Sequence, residues 1–350
     1  MRLLLCHPGA SWATHDVHTG LLAGLRAHGH SVTEYALSGR LEASRVTLEY
    51  LWRKQVRTGG PLAHVRPSHA DVQYHAGQEV VTRALRDDAD WVLVVCAAYL
   101  HPDVLVLCRR ARLPLAAVFT ESPYDDAEQA KVAPLFDVVF TNERASVAPL
   151  RGANPNTHYL PVGYDPATHG LRVNNPPLDG ERVNNLVPAH DVVFVGTGFD
   201  SRVALLAAVD WTGIDLGLYG YWADLPKGHP LRPHVHDGLV DNAAAGALYR
   251  RAKLGLNLYR QAGAGVAAES LNPRAYELAA DGVFTLSHYR AEVGERFGGL
   301  VPTFATAAEL ERRTRRYLRE DTGPTRAVLP AHVAEDTYHH RAAQLVAHLS

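Results

Sequence analysis

The chain has little of what marks a disulfide-stapled, membrane-embedded or polyanion-binding protein. Its three cysteines, Cys6, Cys96 and Cys108, are odd in number, far apart and form no C-x-x-C pair. That usage argues for free thiols in a reducing compartment and against a disulfide framework. The longest apolar run, Trp91 to Leu100, is about half a membrane span. The apolar residues before Cys6-His7-Pro8 are too few for a secretory h-region. A cytoplasmic protein without integral membrane association is therefore expected. A formal charge of −2 and a pI near 6.9 supply no global attraction to nucleic acid or anionic lipid. The twenty histidines include close pairs such as His28/His30 and His234/His236, but none is joined by a cysteine or carboxylate at a family-specific metal spacing. No Asp-x-Asp metal motif stands in a suitable position, so no metal and no cofactor are expected.

What is present is an ordinary globular composition, 47% hydrophobic and 21% charged over 350 residues. A chain of this length has room for two domains of ~150 residues, each with a substantial core. Arg2 to Cys6 reads as a buried first strand, His7-Pro8-Gly9 as the turn out of it, and Thr19 to His28 as a helix with Leu21, Leu22 and Leu25 on one face. The next strand starts at His30. Buried parallel strands are then expected at 91–97, 115–120 and 138–141. Carboxyl ends of parallel strands face the ligand crevice, which makes Glu121, in the turn after the second of these, a candidate catalytic residue together with His7.

Residues 166–190, rich in Asn, Pro and Gly, sustain neither periodic pattern and read as a linker. A second domain then opens as the first did. Asp191 to Val195 is apolar, Gly196-Thr197-Gly198 turns, and Asp200 or Ser201 can cap a helix carrying Val203, Leu205, Leu206 and Val209. Because glycine lacks Cβ, backbone amides at such a turn can approach a diphosphate, and Arg202 in the following helix is placed to reach the same group. Further strands fit 214–219, 254–259 and 283–286, with a helix near 243–253 between the first two, another at 307–318 and a last one in the tail.

The chemistry is anchored at Glu269 to Gly282. Asn272 is a good N-cap, Pro273 suits the first helical position, and Gly282 can end the helix in a left-handed conformation, so a helix of ~nine residues is expected. Its amino end leaves N–H groups unpaired and is mildly positive, a natural seat for phosphate. Arg274 stands in that first turn, and Glu277 follows three residues later on the same face. A guanidinium suited to phosphate thus lies one turn from a carboxylate suited to a ribose diol. Glu269 precedes the helix on a loop.

Two glutamates separated by seven residues, followed by Gly282 and the apolar run Val283-Phe284-Thr285-Leu286, resemble the E-x7-E element of retaining GT-B glycosyltransferases. "LLAGLRAHGHSV" near the N-terminus resembles the L-x-x-x-G-H-x-V signature of the same superfamily, and Leu160-Pro161-Val162-Gly163-Tyr164-Asp165 its "lPxGxD" at the end of the first domain. "DGLV…ALYRRAKLGLNLYR" resembles the region where these enzymes hold the nucleotide base, around the position of Val240, and the tail resembles that of CgeB-like, spore-maturation-type glycosyltransferases. The resemblance covers nearly the whole chain. Ser270-Leu271-Asn272-Pro273 departs from the glycine pattern that usually follows the first glutamate.

The resemblance implies an α/β protein of GT-B architecture. It would have two Rossmann-like domains with an interdomain cleft, the first over 1–165 and the second over 191–333, and a C-terminal helix, 334–350, crossing back to the first. The implied function is metal-independent transfer of a sugar, with retention, from a nucleoside-diphosphate sugar such as a UDP-sugar. In that reading Gly196, Thr197, Gly198, Arg202, Val240, Asn272, Arg274 and Glu277 bind the donor. Glu269 contacts its sugar, and His7 or Glu121 handles the acceptor, which could be a glycan, a protein, a small molecule or a modified nucleobase. A nucleotide-sugar epimerase of the same fold and a non-catalytic sugar-nucleotide-binding protein are the alternatives.

Overall fold

The computed structural model describes residues 1–9, 14–170, 190–236, 238, 240–261 and 266–349. Of the linker expected over 166–190, residues 171–189 lie outside the described residues, as do Ala262–Gly265 of the glycine-rich stretch that precedes Glu269. The chain divides into two compact units, one of Met1–Pro161 with His339–Ser350 and the other of Val162–Tyr338.

The first unit is built on a six-stranded parallel sheet, β1 (Arg2–His7), β2 (Ser31–Ala36), β3 (Trp91–Val95), β4 (Leu115–Phe119), β5 (Val138–Thr141) and β6 (Thr157–Tyr159), in the order β2-β1-β3-β4-β5-β6. Leu3 to Cys6 and Val92 to Val95 are buried on both faces. This is what helices covering both sides of a parallel sheet demand, and it explains why these strands read as continuous apolar runs. Strand order reverses between β1 and β3, so ligand-facing groups are expected past their carboxyl ends. Helix α1 (His15–Ala27) covers more sequence than the periodicity predicts, starting four residues before Thr19. The segment after β2 is a 22-residue helix, α2 (Leu37–Thr58), which ends at Gly59 in a left-handed conformation, and α3 (His69–Gly77), α4 (Glu79–Arg86), α5 (Pro102–Arg110), α6 (Asp126–Val132) and α7 (Val147–Arg151) follow in the later connections.

The last helix of the chain, α14 (Tyr338–Val346), packs in this unit. Ala342 and Leu345 are fully buried, and His348, just past the helix, lies 4.0 Å from the His158 ring and 5.7 Å from Phe140 by ring centroids. Because the chain returns here, the first unit is made of two separate stretches of sequence.

The second unit repeats the plan with five parallel strands, β7 (His190–Val195), β8 (Leu216–Tyr219), β9 (Ala252–Asn257), β10 (Thr285–His288) and β11 (Thr303–Phe304), in the order β11-β10-β9-β7-β8. Here the reversal falls between β7 and β9. Its helices include α8 (Asp200–Ala207), α9 (Asn242–Arg250), α10 (Pro273–Ala280), α11 (Ala291–Phe297) and α12 (Ala307–Tyr317). Two expectations are corrected. Phe199, not Asp200 or Ser201, occupies the N-cap of α8, with no side-chain cap bond. Strand β10 begins at Thr285, because Val283 and Phe284 still belong to the turn out of α10, with the Val283 N–H donating to the Leu278 carbonyl at 2.9 Å. Helix α13 (Gly323–His332), in which Leu329 is fully buried, has no counterpart in the sequence reading. Its interior Pro330 masks the periodicity.

Candidate donor site in the second unit

Helix α10 forms as its sequence dictates. The Asn272 side chain accepts from the Ala275 N–H at 3.3 Å, Pro273 occupies the first helical position, and Gly282 lies beyond the Asp281 C-cap with φ of 64°. Ala275, Tyr276, Leu278, Ala279 and Ala280 are buried, while Arg274 and Glu277 are half-buried. The buried face fixes the helix against the sheet, and the two polar side chains stand at its margin. The preceding loop is held from α11: the Leu271 N–H donates to the Glu292 carboxylate at 2.6 Å, Arg290 donates to the Ser270 carbonyl at 2.8 Å, and the Glu269 carbonyl accepts from the Glu292 N–H at 3.2 Å. Glu269 itself is half-buried. Two buried anchors therefore set its backbone within a few residues.

Arg274 extends to the turn after β7. A methyl group on Gly196 would come within 3.3 Å of its Nη2 and 3.0 Å of the Phe194 ring, so the guanidinium rests against bare backbone. Its Cζ is 5.2 Å from the Phe194 centroid. That ring is fully buried and also carries Arg202, at 5.3 Å. Phe199, partly exposed beside the turn, has Arg202 at 5.0 Å and Arg260 at 5.3 Å. Three arginines from α8, the end of β9 and α10 thus converge on two phenylalanines at the switch point of the sheet. Cation–π contacts hold such guanidiniums in place without themselves consuming N–H donors.

The three differ in freedom. Arg202 is 8% exposed and donates to the Thr197 and Leu258 carbonyls, at 3.0 and 2.8 Å. It ties the turn to the end of β9 and is less available to phosphate than its position in the sequence suggests. The Gly196 and Gly198 amides likewise donate at 2.8 Å to the Tyr219 and Tyr221 carbonyls, so both are engaged at the strand edge. The role these glycines show is steric: a Cβ on Gly198 would stand 2.4 Å from the Trp222 indole, far inside van der Waals contact. Thr197, between them, turns the chain and offers its carbonyl to Arg202.

Tyr249 of α9 lies under the same edge, with its hydroxyl accepting from the Val195 N–H at 2.8 Å. Burial pushes its phenol up, Arg274 and Arg202 oppose that, and Glu277 adds to it; one buried oxygen thus senses all three charged groups. Val240 is partly buried against the core of which Tyr249 is part, just before Asp241, which caps α9 by accepting from the Ala244 N–H at 2.8 Å.

The sequence reading missed what stands behind Glu277. Asp281, one turn on, is buried, and its carboxylate accepts from His169 Nδ1 at 3.0 Å, the Gly170 N–H at 2.9 Å and Arg250 at 3.0 Å. Burial works to raise its pKa, but these hydrogen bonds and charges outweigh it and hold the carboxyl below the usual range. A ring nitrogen of His169 and a carboxylate oxygen of Glu277 are within 4.8 Å of each other. The i, i+4 spacing of Glu277 and Asp281 was a usable signal; the partner from residue 169 was not.

In the first unit, His7 ends β1, where it is 2% exposed, accepts from the Gly9 N–H at its Nδ1 (3.1 Å), and places Nε2 3.4 Å from the Glu34 carboxylate. Its ring stacks on His18 at 3.9 Å. Burial lowers the His7 pKa, with Glu34 opposing. Glu121, half-buried past β4, accepts at its carbonyl from the Tyr124 and Asp125 N–H groups. Of the two, Glu121 is the more accessible.

Residues 202–347, from α8 to α14, match a family model described as "Glycosyl transferase-like". No curated protein matches the chain. Among solved structures it is similar to the N-terminal domain of trehalose-6-phosphate phosphatase from Candida albicans (TM-score 0.63, 10% identity, covering 99% of this chain and 96% of that one). It is also similar to AviGT4, a glycosyltransferase involved in avilamycin A biosynthesis (0.59, 16%, 100% and 97%). A third is a putative UDP-N-acetylglucosamine 2-epimerase from Listeria monocytogenes (0.59, 12%, 99% and 95%). At such identities the likeness is one of fold. The chain thus has the GT-B glycosyltransferase fold along its length, and from residue 202 to 347 its sequence is glycosyl transferase-like.

Proposed function

We infer that the protein is a glycosyltransferase that uses a nucleoside-diphosphate sugar, a UDP-sugar being the first donor to try, and that it works without a metal and with retention. The observation that carries this is the meeting of Arg274 with the Gly196 turn, which puts a guanidinium and the amino end of α10 together at the switch point of the second sheet. The glycosyl transferase-like match across α10 supports the same assignment, as does the resemblance to CgeB-like enzymes.

Glycosyl transfer builds oxocarbenium character on the sugar and negative charge on the departing diphosphate. Arg274 would neutralise that charge, with Arg260 joining from the end of β9; Asn272 shapes the amino end of α10, and Arg202 positions the turn. Glu277 would accept hydrogen bonds from the ribose diol, Glu269 would contact the sugar hydroxyls, and backbone around Val240 would hold the base. Glu121 and His7 are the first unit's candidates for the acceptor, whose class stays open among glycan, protein, small molecule and modified nucleobase. The cytoplasm is the compartment the cysteine usage favours.

The fold shared with a putative epimerase favours one rival, an isomerase acting on the same donor. Incubating the protein with a panel of nucleotide sugars, with and without EDTA, separates the readings. Slow, EDTA-insensitive release of free nucleoside diphosphate is expected. An isomerised sugar would replace transfer by epimerisation, and binding without turnover would leave a sugar-nucleotide-binding protein.

A further inference from the structure

We propose that His169, clamped by the buried carboxylate of Asp281, is a positioning residue for Glu277 and thereby sets the affinity of the second unit for the nucleoside half of the donor. This rests on the donor reading above, in which Glu277 meets the ribose.

Glu277 and Asp281 lie one turn apart on α10 and its cap, so their carboxylates share a face. The His169 ring is 4% exposed. It holds Asp281 through Nδ1 at 3.0 Å, with a ring nitrogen within 4.8 Å of a Glu277 carboxylate oxygen. Asp281 is held in turn by the Gly170 N–H and Arg250, so the ring orientation is set by groups that are themselves fixed. Gly246 of α9 completes the seat: a Cβ there would stand 2.8 Å from Asp281 and 3.4 Å from the His169 ring.

A histidine whose one nitrogen is committed to a carboxylate has its ring plane and tautomer determined, so the whole ring is held in a fixed orientation. Glu277 stands on the half-buried margin of the helix, and a fixed imidazole this close to its carboxylate narrows the rotamers that can face a ribose. Orienting a ligand-binding carboxylate in advance raises affinity by removing part of the ordering cost of binding.

The test uses the full-length protein and calorimetric titration with UDP, GDP, ADP and dTDP, carried out on the parent, Glu277→Ala, His169→Asn, His169→Ala and the double variant His169→Asn/Glu277→Ala. Asparagine can still donate to Asp281 but lacks the imidazole ring that stands beside Glu277. Expected for His169→Asn is a melting temperature close to the parent's with affinity for the preferred diphosphate ~5- to 10-fold weaker, and for the double variant an affinity no weaker than that of Glu277→Ala alone. His169→Ala should lose both stability and affinity. Parent-like binding by His169→Asn, or losses that multiply in the double variant, would overturn the inference and leave His169 as a structural tie. If Glu277→Ala alone binds every diphosphate as the parent does, the donor reading itself fails, a result distinguishable from the other two.

Discussion

At the residue scale the site is governed by what each side chain is already bonded to. Arg202 and Arg274 touch the same Phe194 ring, yet Arg202 donates to two carbonyls and is buried, whereas Arg274 is half-buried against a glycine. Their variants should therefore part company. Arg274→Ala should weaken diphosphate binding about 10-fold or more, the scale of a lost charge-assisted contact, with little change in melting temperature. Arg202→Ala should lower the melting temperature first, because it takes the Arg202 donor from the buried Leu258 carbonyl, at ~1–3 kcal/mol. Titration calorimetry beside thermal melts reads both; equal affinity losses with equal stability would sink the distinction. Gly198→Ala should destabilise strongly, since its Cβ would overlap the Trp222 indole, and shift tryptophan emission as that ring is displaced.

His18 supplies the pH prediction. Burial, with His7 adding, lowers its pKa to about 4. A histidine held neutral in the fold takes up its proton on unfolding, so the stability it contributes is complete above its ordinary value near 6.5 and lost as pH falls from there toward 4. Denaturant midpoints should drop across that window, and His18→Gln, which cannot take up the proton, should flatten the drop. An unchanged slope would show that other groups carry it.

At the element scale, α10 is a short helix whose ends are specified locally and whose face is specified by packing. Its cap bond, Asn272 to Ala275, is worth ~1 kcal/mol, so Asn272→Ala should lower the melting temperature by ~2–4 °C for a unit of this size. A drop far larger would mean that Asn272 does more than cap. The sequence made this helix legible because cap, proline and terminal glycine are signals read within a few residues. It made α13 illegible because Pro330 breaks the pattern, while Leu329 packs regardless. The cap of α8 was misassigned for a related reason: a good capping residue was available at 200, but the chain leaves the Gly198 turn with Phe199 already at the helix boundary.

On the whole-molecule scale the chain forms two units, and the last helix belongs to the first of them. Leu345 is fully buried there. Leu345→Ala should cost that unit ~2–5 kcal/mol and, if the units melt separately, lower one transition and leave the other in place. A uniform shift of a single transition would mean the two unfold together, so two-state treatment of either alone would not hold.

The sequence by itself determined the strands, most helices and the α/β class, because a buried parallel strand must be apolar on both faces and a helix must repeat about every 3.6 residues. It also determined the ends of α10, where the Asn272 cap, Pro273 and Gly282 are signals carried by a few adjacent residues. Tertiary structure decided which of the nominated groups are already engaged: Arg202 and the Gly196 and Gly198 amides donate to carbonyls at or just past the ends of β9 and β8, and Glu277 has His169 beside it, from more than 100 residues earlier in the chain. Contacts between strand ends and distant loops depend on the register of the sheet and on side-chain volume, neither of which has a period that a linear pattern can display.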